Sequence, residues 1–383
     1  MFSFLLLIVY IIFISLGLPD GILGSAWPSM YEGLNVNISM VGIITLIIPL
    51  CTIISSLFCD RLTKKFGTGK ITLVSVLLTA LALFGFSLST EFWMLCLFAI
   101  PYGLGAGCVD ASINNYAAVH YSSKHMSWLH CMWGIGASVG PYIMGMTLSS
   151  GNTWNLGYRI ISIIQCILVA VLFFALPLWK ESKEEKEEIK VLSFKQVISI
   201  KGVIPLVICF FAYSAVEQTT ILWAGSYLTL YCNMAEEIAA SFSSMFLMGL
   251  TFGRFVSGFI SVKLNDKKMI RLGQLIILVG ILILMLPFGV ISTLIGFVLI
   301  GLGCAPIYPS IMHSIPILFG KEKSQSLVGI QMAFAYTGTL LMPALFGIIV
   351  EYVSIGLLSI YLLVFLILMI VLHELTHKLV KKM

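Results

Sequence analysis

Three carboxylic acids stand where water is scarce. Asp20, Asp110 and Glu217 each lie inside a long apolar run, while the other 14 of the 17 acids fall in connections, at the ends of runs or in the tail. A charged side chain in hydrocarbon costs at least about 2.5 kcal/mol, so it faces protein or a water-filled cavity. A carboxyl withdrawn from water favours its neutral form, so such groups suit proton carriage as well as polar binding. Asn114 follows Asp110 by four residues and Trp133 follows His130 by three, so each pair shares a helix face. Gln218 follows Glu217 directly, Trp223 lies six residues further on and rotated away, and Gln331 adds an amide from a later run. Carboxylate, amide and flat ring faces together suit a sugar, which offers hydroxyl edges and C–H faces; packing between helices accounts equally well for any single Trp. Asp20 and Asp110 are expected to carry protons. Asn114, His130, Trp133, Glu217, Gln218, Trp223 and Gln331 are expected to bind a solute. On that reading Glu217→Gln weakens binding by about 1–3 kcal/mol, with folding kept and with Gln331 close enough to help.

A second string invites different chemistry. His373-Glu374-Leu-Thr-His377 is an HExxH pattern, which on a helix binds zinc with Glu as general base. Zinc needs a third protein ligand, and only six residues follow. His and Lys also favour a helix C-terminus. A membrane metalloprotease is therefore the distant third reading: the string is expected to be inert, the chain to be no enzyme, and no metal or cofactor is expected.

The elements that must hold these residues are spans. Of 383 residues 59% are apolar and 10% charged, against roughly 25% charged in a soluble domain. The low charge and high apolar content exclude disorder. The nine cysteines lie mostly in apolar runs without paired spacing and read as small hydrophobes. A crossing helix needs about 20 apolar residues. Twelve such runs occur, near 3–27, 39–59, 69–88, 92–118, 126–148, 154–178, 203–230, 238–260, 269–288, 290–312, 325–350 and 353–375. Twenty of the 22 Lys and Arg lie in alternate connections and the tail, which places those connections and both termini in the cytoplasm. A net charge of +5 sorted in this way is no nucleic-acid footprint. Lys180–Lys190 reads as a solvated helical linker with i,i+4 ion pairs. The expected organisation is a bundle over 1–179, a charged linker over 180–201, and a second bundle with a short tail over 202–383.

The halves repeat. Gly103-Leu-Gly105 returns as Gly301-Leu-Gly303, and Gly136, Pro141 and Gly145 return as Gly338, Pro343 and Gly347. A six-span repeat directs the search for a site to the midplane between halves. After run 2 comes Ser56-Leu-Phe-Cys-Asp60-Arg61-Leu-Thr63-Lys64-Lys65. It resembles the loop signature of the major facilitator superfamily, with Ser56 and Thr63 in place of two glycines. The resemblance implies an all-α membrane fold of twelve helices in two pseudo-symmetric six-helix bundles. It also implies a gating latch of Asp60, Arg61, Lys64 and Lys65. Arg254, about 13 Å inside Lys263 along a helix, is a further gating or ion-pairing candidate. The pattern of Asp20, Asp110 with Asn114, His130 and Glu217 resembles the fucose/glucose–proton symporter branch. That branch implies proton-coupled uptake of a small polar solute, a sugar or polyol. Gly136-Ala-Ser-Val-Gly140-Pro141 instead resembles the fifth-span motif of drug/proton antiporters, which keeps efflux as the alternative; small residues there also serve close helix packing. The expected partners are the solute, protons and the cell-membrane bilayer, with no nucleic acid, and the chain is expected to be a monomer.

Overall fold

A backbone in hydrocarbon must satisfy its own hydrogen bonds, which leaves helices as the solution for runs of this length. The computed structural model describes residues 4–37, 40–179, 192–234, 245–286 and 288–381, and among these no strand occurs. The helices are α1 (Phe4–Gly17), α2 (Ile22–Gly33), α3 (Val41–Phe66), α4 (Thr68–Leu88) and α5 (Phe92–His120). Next come α6 (Ser123–Ser149), α7 (Trp154–Ala175), the short α8 (Phe194–Ile198) and α9 (Val203–Leu230). Then follow α10 (Met245–Ile260), α11 (Asp266–Leu284), α12 (Val290–Cys304), α13 (Ile307–Phe319), α14 (Lys321–Tyr352) and α15 (Leu358–Val380). Helices α1 and α2 together fill the first expected run, and α12 and α13 the tenth.

Nine helical stretches among the described residues are long and apolar enough to cross a membrane. The three remaining expected runs hold α6, α10 and α11. Helix α6 has 27 residues, but Ser, His and Gly dilute its apolar character. Helix α10 begins at Met245, and the expected start of that run lies outside the described residues. Helix α11 opens on Asp266, Lys267 and Lys268, its Asn265 cap accepting from the Lys268 N–H at 3.0 Å. The charged stretch Lys180–Lys190 also lies outside the described residues. After it, Ser193 and Gln196 form a reciprocal capping box that starts α8.

The chain forms two compact units: Met1–Tyr116 with Met132–Val191, and Ala117–Cys131 with Leu192–Met383. The sequence repeat has the same packing role in each. In unit 1 a side chain at Gly103 would strike the α3 carbonyl of Ile48, and one at Gly105 the α4 carbonyl of Ser75. In unit 2 a side chain at Gly301 would strike the α10 carbonyl of Phe246, and one at Gly303 the α11 carbonyl of Gly273. Each Gly-Leu-Gly thus lets one helix approach two neighbours at backbone distance, as small residues do where no hydrophobic effect drives association. Large apolar side chains such as Phe174, Ile291 and Trp93 are exposed on the helices. That is the surface of a protein solvated by lipid.

Candidate substrate and proton sites

In unit 1, α1 stops at Gly17 and the chain turns through Leu18, Pro19, Asp20 and Gly21 before α2 begins. Gly21 sits at φ +79°, a conformation that favours glycine. The turn takes Asp20 out of helical register and presents its carboxylate to α6, where the Trp133 indole N–H donates to Asp20 Oδ2 at 2.9 Å. Gly17, Gly136 and Gly140 allow this approach: a side chain at Gly17 or Gly136 would collide with the backbone of the facing helix, and one at Gly140 with the Leu18 backbone of the turn. The Gly136-x-x-x-Gly140 motif therefore packs α6 on α1. On α5 the Asn114 amide donates to Asp110 Oδ1 at 2.7 Å and to the Asp110 carbonyl at 3.0 Å. The i,i+4 spacing read from sequence is thus a bond. Asn114 is fully buried, whereas Asp20 and Asp110 are half-buried. Both acids accept from neutral N–H donors.

Unit 2 gathers a denser cluster. Glu217 on α9 accepts from the Tyr213 hydroxyl, one turn earlier, at 2.9 Å. The same oxygen, Oε1, takes Arg254 Nη2 from α10 at 3.2 Å, an ion pair with both side chains buried. Arg254 Nη1 donates onward to the His130 carbonyl at 3.4 Å. The His130 ring lies 4.4 Å from that of Tyr308 on α13, and Tyr308 also meets Phe210 and Tyr213. Tyr213 and Tyr308 were not singled out from sequence. The signal for Tyr213 was its position four residues before Glu217; nothing in the sequence marks Tyr308.

Other expected binding groups are placed differently. Gln218 is half-buried beside Glu217. The Trp223 indole N–H donates to the Pro343 carbonyl at 3.0 Å, and its ring meets Phe346 edge-on at 5.6 Å. Trp223 thereby buttresses α14. Gln331 is fully buried and neither amide atom has a hydrogen-bond partner among the described residues. It does not join Glu217. Gly338 of α14 faces Phe211 and Ser214 of α9, and Gly347 faces Trp223, so the two helices run parallel. In that register Gln331 and Glu217 are separated along the axis by roughly 15 Å at ~1.5 Å per residue.

The latch candidates divide. Asp60 is buried and pairs with Lys64, one turn on, at 3.0 Å. Arg61 lies 5.8 Å from the Phe58 ring centre and Lys65 5.2 Å from that of Phe66. In the HExxH string, both Glu374 oxygens bind Arg271, at 2.6 and 2.7 Å, with Lys267 at 3.7 Å. That carboxylate is engaged by cations and is not presented to a metal-bound water. Glu374→Gln and His377→Ala are expected to leave transport intact, and purified protein is expected to hold no stoichiometric zinc. Zinc that disappears in His377→Ala, measured by elemental analysis, would overturn this.

Comparison with known proteins agrees with this architecture. The sequence profile of the Major Facilitator Superfamily matches residues 9–292 and, in a second match, 206–380. Bypass of stop codon protein 6 of Saccharomyces cerevisiae is 25% identical over 90% of this chain and 76% of its own. The glucose/mannose transporter GlcP of Bacillus subtilis is 22% identical over 82% of this chain and 80% of its own. Among solved structures, the E. coli fucose:proton symporter FucP in its outward conformation superposes with a TM-score of 0.81 at 14% identity, covering 97% of this chain and 98% of that one. This last likeness is one of fold.

Proposed function

The chain belongs to the Major Facilitator Superfamily, and on that premise we propose that it takes up a small polar solute, a sugar or polyol, together with protons by alternating access. The observation that carries this reading is the pair of acids in unit 1. Asp20 and Asp110 accept hydrogen bonds from the neutral donors Trp133 and Asn114. A protonated carboxyl keeps a carbonyl oxygen for each of these donors, so both acids can load and unload a proton with these bonds kept. Glu217 differs: its carboxylate holds Arg254 and Tyr213. It serves solute binding, where a carboxylate accepting from hydroxyls makes charge-assisted hydrogen bonds. His130 and Gln218 supply further contacts beside Glu217 in unit 2 and Trp223 acts as a support, while Trp133 and Asn114 hold the two acids of unit 1; Gln331, distant from Glu217, takes no part there. Asp60, Arg61, Lys64 and Lys65 form a gate at the cytoplasmic face. The protein works as a monomer in the cell membrane with both termini in the cytoplasm. A relative named for glucose and mannose supports the solute class. The motif shared with antiporters has a packing role between α1 and α6, and efflux stays the alternative on a relative named as a tetracycline resistance protein, 22% identical over 61% of this chain.

The test is counterflow in proteoliposomes over a panel of sugars, polyols and amphipathic drugs. One sugar or polyol is expected to exchange, and an imposed proton gradient is expected to concentrate it until a protonophore is added. Exchange of drugs alone, or accumulation driven by sodium but not by protons, would reject the reading.

A further inference from the structure

Helix α6 is divided between the units: Ser123–Cys131 belongs with unit 2 and Met132–Ser149 with unit 1. What holds its first turns in unit 2 is specific. Trp128 lays its indole over Gly258 of α10, where any Cβ would meet the ring, with Cε2 only 2.9 Å away. Its N–H donates to the Phe255 carbonyl at 3.3 Å, and the ring meets Phe259 edge-on at 5.4 Å. Lys124 sits 4.4 Å above the outer ring face, within cation–π range. About one turn of α10 away from Gly258, Arg254 reaches the His130 carbonyl with Nη1 while Nη2 holds Glu217. A single guanidinium therefore joins the carboxylate assigned to the solute with the backbone of the segment that Trp128 seats.

We propose that Trp128 in its Gly258 seat is a latch that closes in one transport state and opens in the other, with Arg254 as the positioning residue that links it to Glu217. This rests on the solute role given to Glu217 above. A transporter needs contacts with two discrete arrangements whose balance a ligand biases. The seat suits that purpose. A large rigid ring fits a site emptied by one glycine, so it is either in or out. A solute whose hydroxyls bind Glu217 competes with Arg254 for that carboxylate, and a guanidinium drawn from Glu217 also shifts its hold on His130.

The test keeps Trp128 and Gly258 and pairs native Cys131, whose thiol lies 3.9 Å from the Thr251 carbonyl of α10, with Thr251→Cys, with exposed Cys166 and half-exposed Cys51, Cys96 and Cys232 replaced by Ser, and applies a short bis-methanethiosulfonate cross-linker, which forms a reducible disulfide to each thiol with loss of sulfinate. Cross-linking is expected to slow counterflow of the transported sugar at least tenfold, and reductant to restore it. Saturating sugar is expected to lower the cross-linking yield severalfold, and Glu217→Gln to abolish that protection. In parallel, Gly258→Leu is expected to slow exchange at least tenfold while sugar binding stays within about threefold of the parent. Cross-linked protein that exchanges at the parent rate would show the contact to be static packing and overturn the latch. Sugar protection that survives Glu217→Gln would remove Arg254 from the linkage. A failure of the solute assignment itself reads out separately, as parent-like sugar affinity in Glu217→Gln without Thr251→Cys.

Discussion

Asp110→Asn is expected to abolish accumulation driven by a proton gradient while leaving exchange across a zero gradient within a few fold of the parent. One proton moving down one pH unit sustains about a tenfold solute gradient, because 1.4 kcal/mol corresponds to tenfold. Removing the group that changes protonation collapses that ratio to about one without touching the solute's own contacts. The substitution is conservative in shape: the amide that replaces the carboxylate keeps a carbonyl oxygen for the Asn114 amide, which now donates to Asp110 Oδ1 at 2.7 Å. Asp20→Asn is expected to act in the same way, since its side-chain carbonyl would still accept from Trp133. The double variant separates the sites. If one acid carries the proton, its single variant and the double behave alike and the other single retains coupling. Accumulation unchanged in the double variant would exclude both acids.

Hydropathy located the spans because hydrocarbon forces every backbone group into a helix. The repeat was legible too. Gly103-Leu-Gly105 and Gly301-Leu-Gly303 share not only letters but neighbours, each first glycine facing one preceding helix and each second glycine the next. The Asp110–Asn114 bond was readable because four residues is one turn. What failed to show was anything depending on which face of a span meets which neighbour. A helix apolar all round carries no strong stripe to orient it. Glu217 and Arg254 lie 37 residues apart on different helices, and no spacing rule joins them. Trp223 looked like a flat surface for a sugar, yet its N–H is taken by the Pro343 carbonyl of α14. Gln331 looked near Glu217 because the vertical register of α9 against α14 is set by Gly338 and Gly347, small residues whose partners a sequence does not name.

That pairing changes what Glu217→Gln does. From sequence alone the substitution weakens solute binding with folding kept. The structure places the carboxylate 3.2 Å from a guanidinium, with side chains 9% and 3% exposed, so loss of the negative charge removes one half of a buried ion pair. Breaking a buried pair from one side costs about 3–5 kcal/mol, because the remaining charge has lost both water and partner. Glu217→Gln retains an acceptor for Tyr213 and falls at the lower end of that range. Arg254→Met strands the carboxylate, removes the bond to the His130 carbonyl, and falls at the upper end. The double variant removes both charges together, and a neutral, well-packed replacement of a buried pair is often as stable as the original. Thermal unfolding in detergent is therefore expected to show two destabilised singles and a double that recovers most of the loss. Transport is expected to be lost in all three, since the double regains the fold but not the carboxylate that takes the solute's hydroxyls. Recovered stability without transport identifies the pair as functional. Recovered stability with near-parent exchange would make Glu217 and Arg254 a structural pair alone, and singles as stable as the parent would mean that the ion pair contributes nothing to the fold.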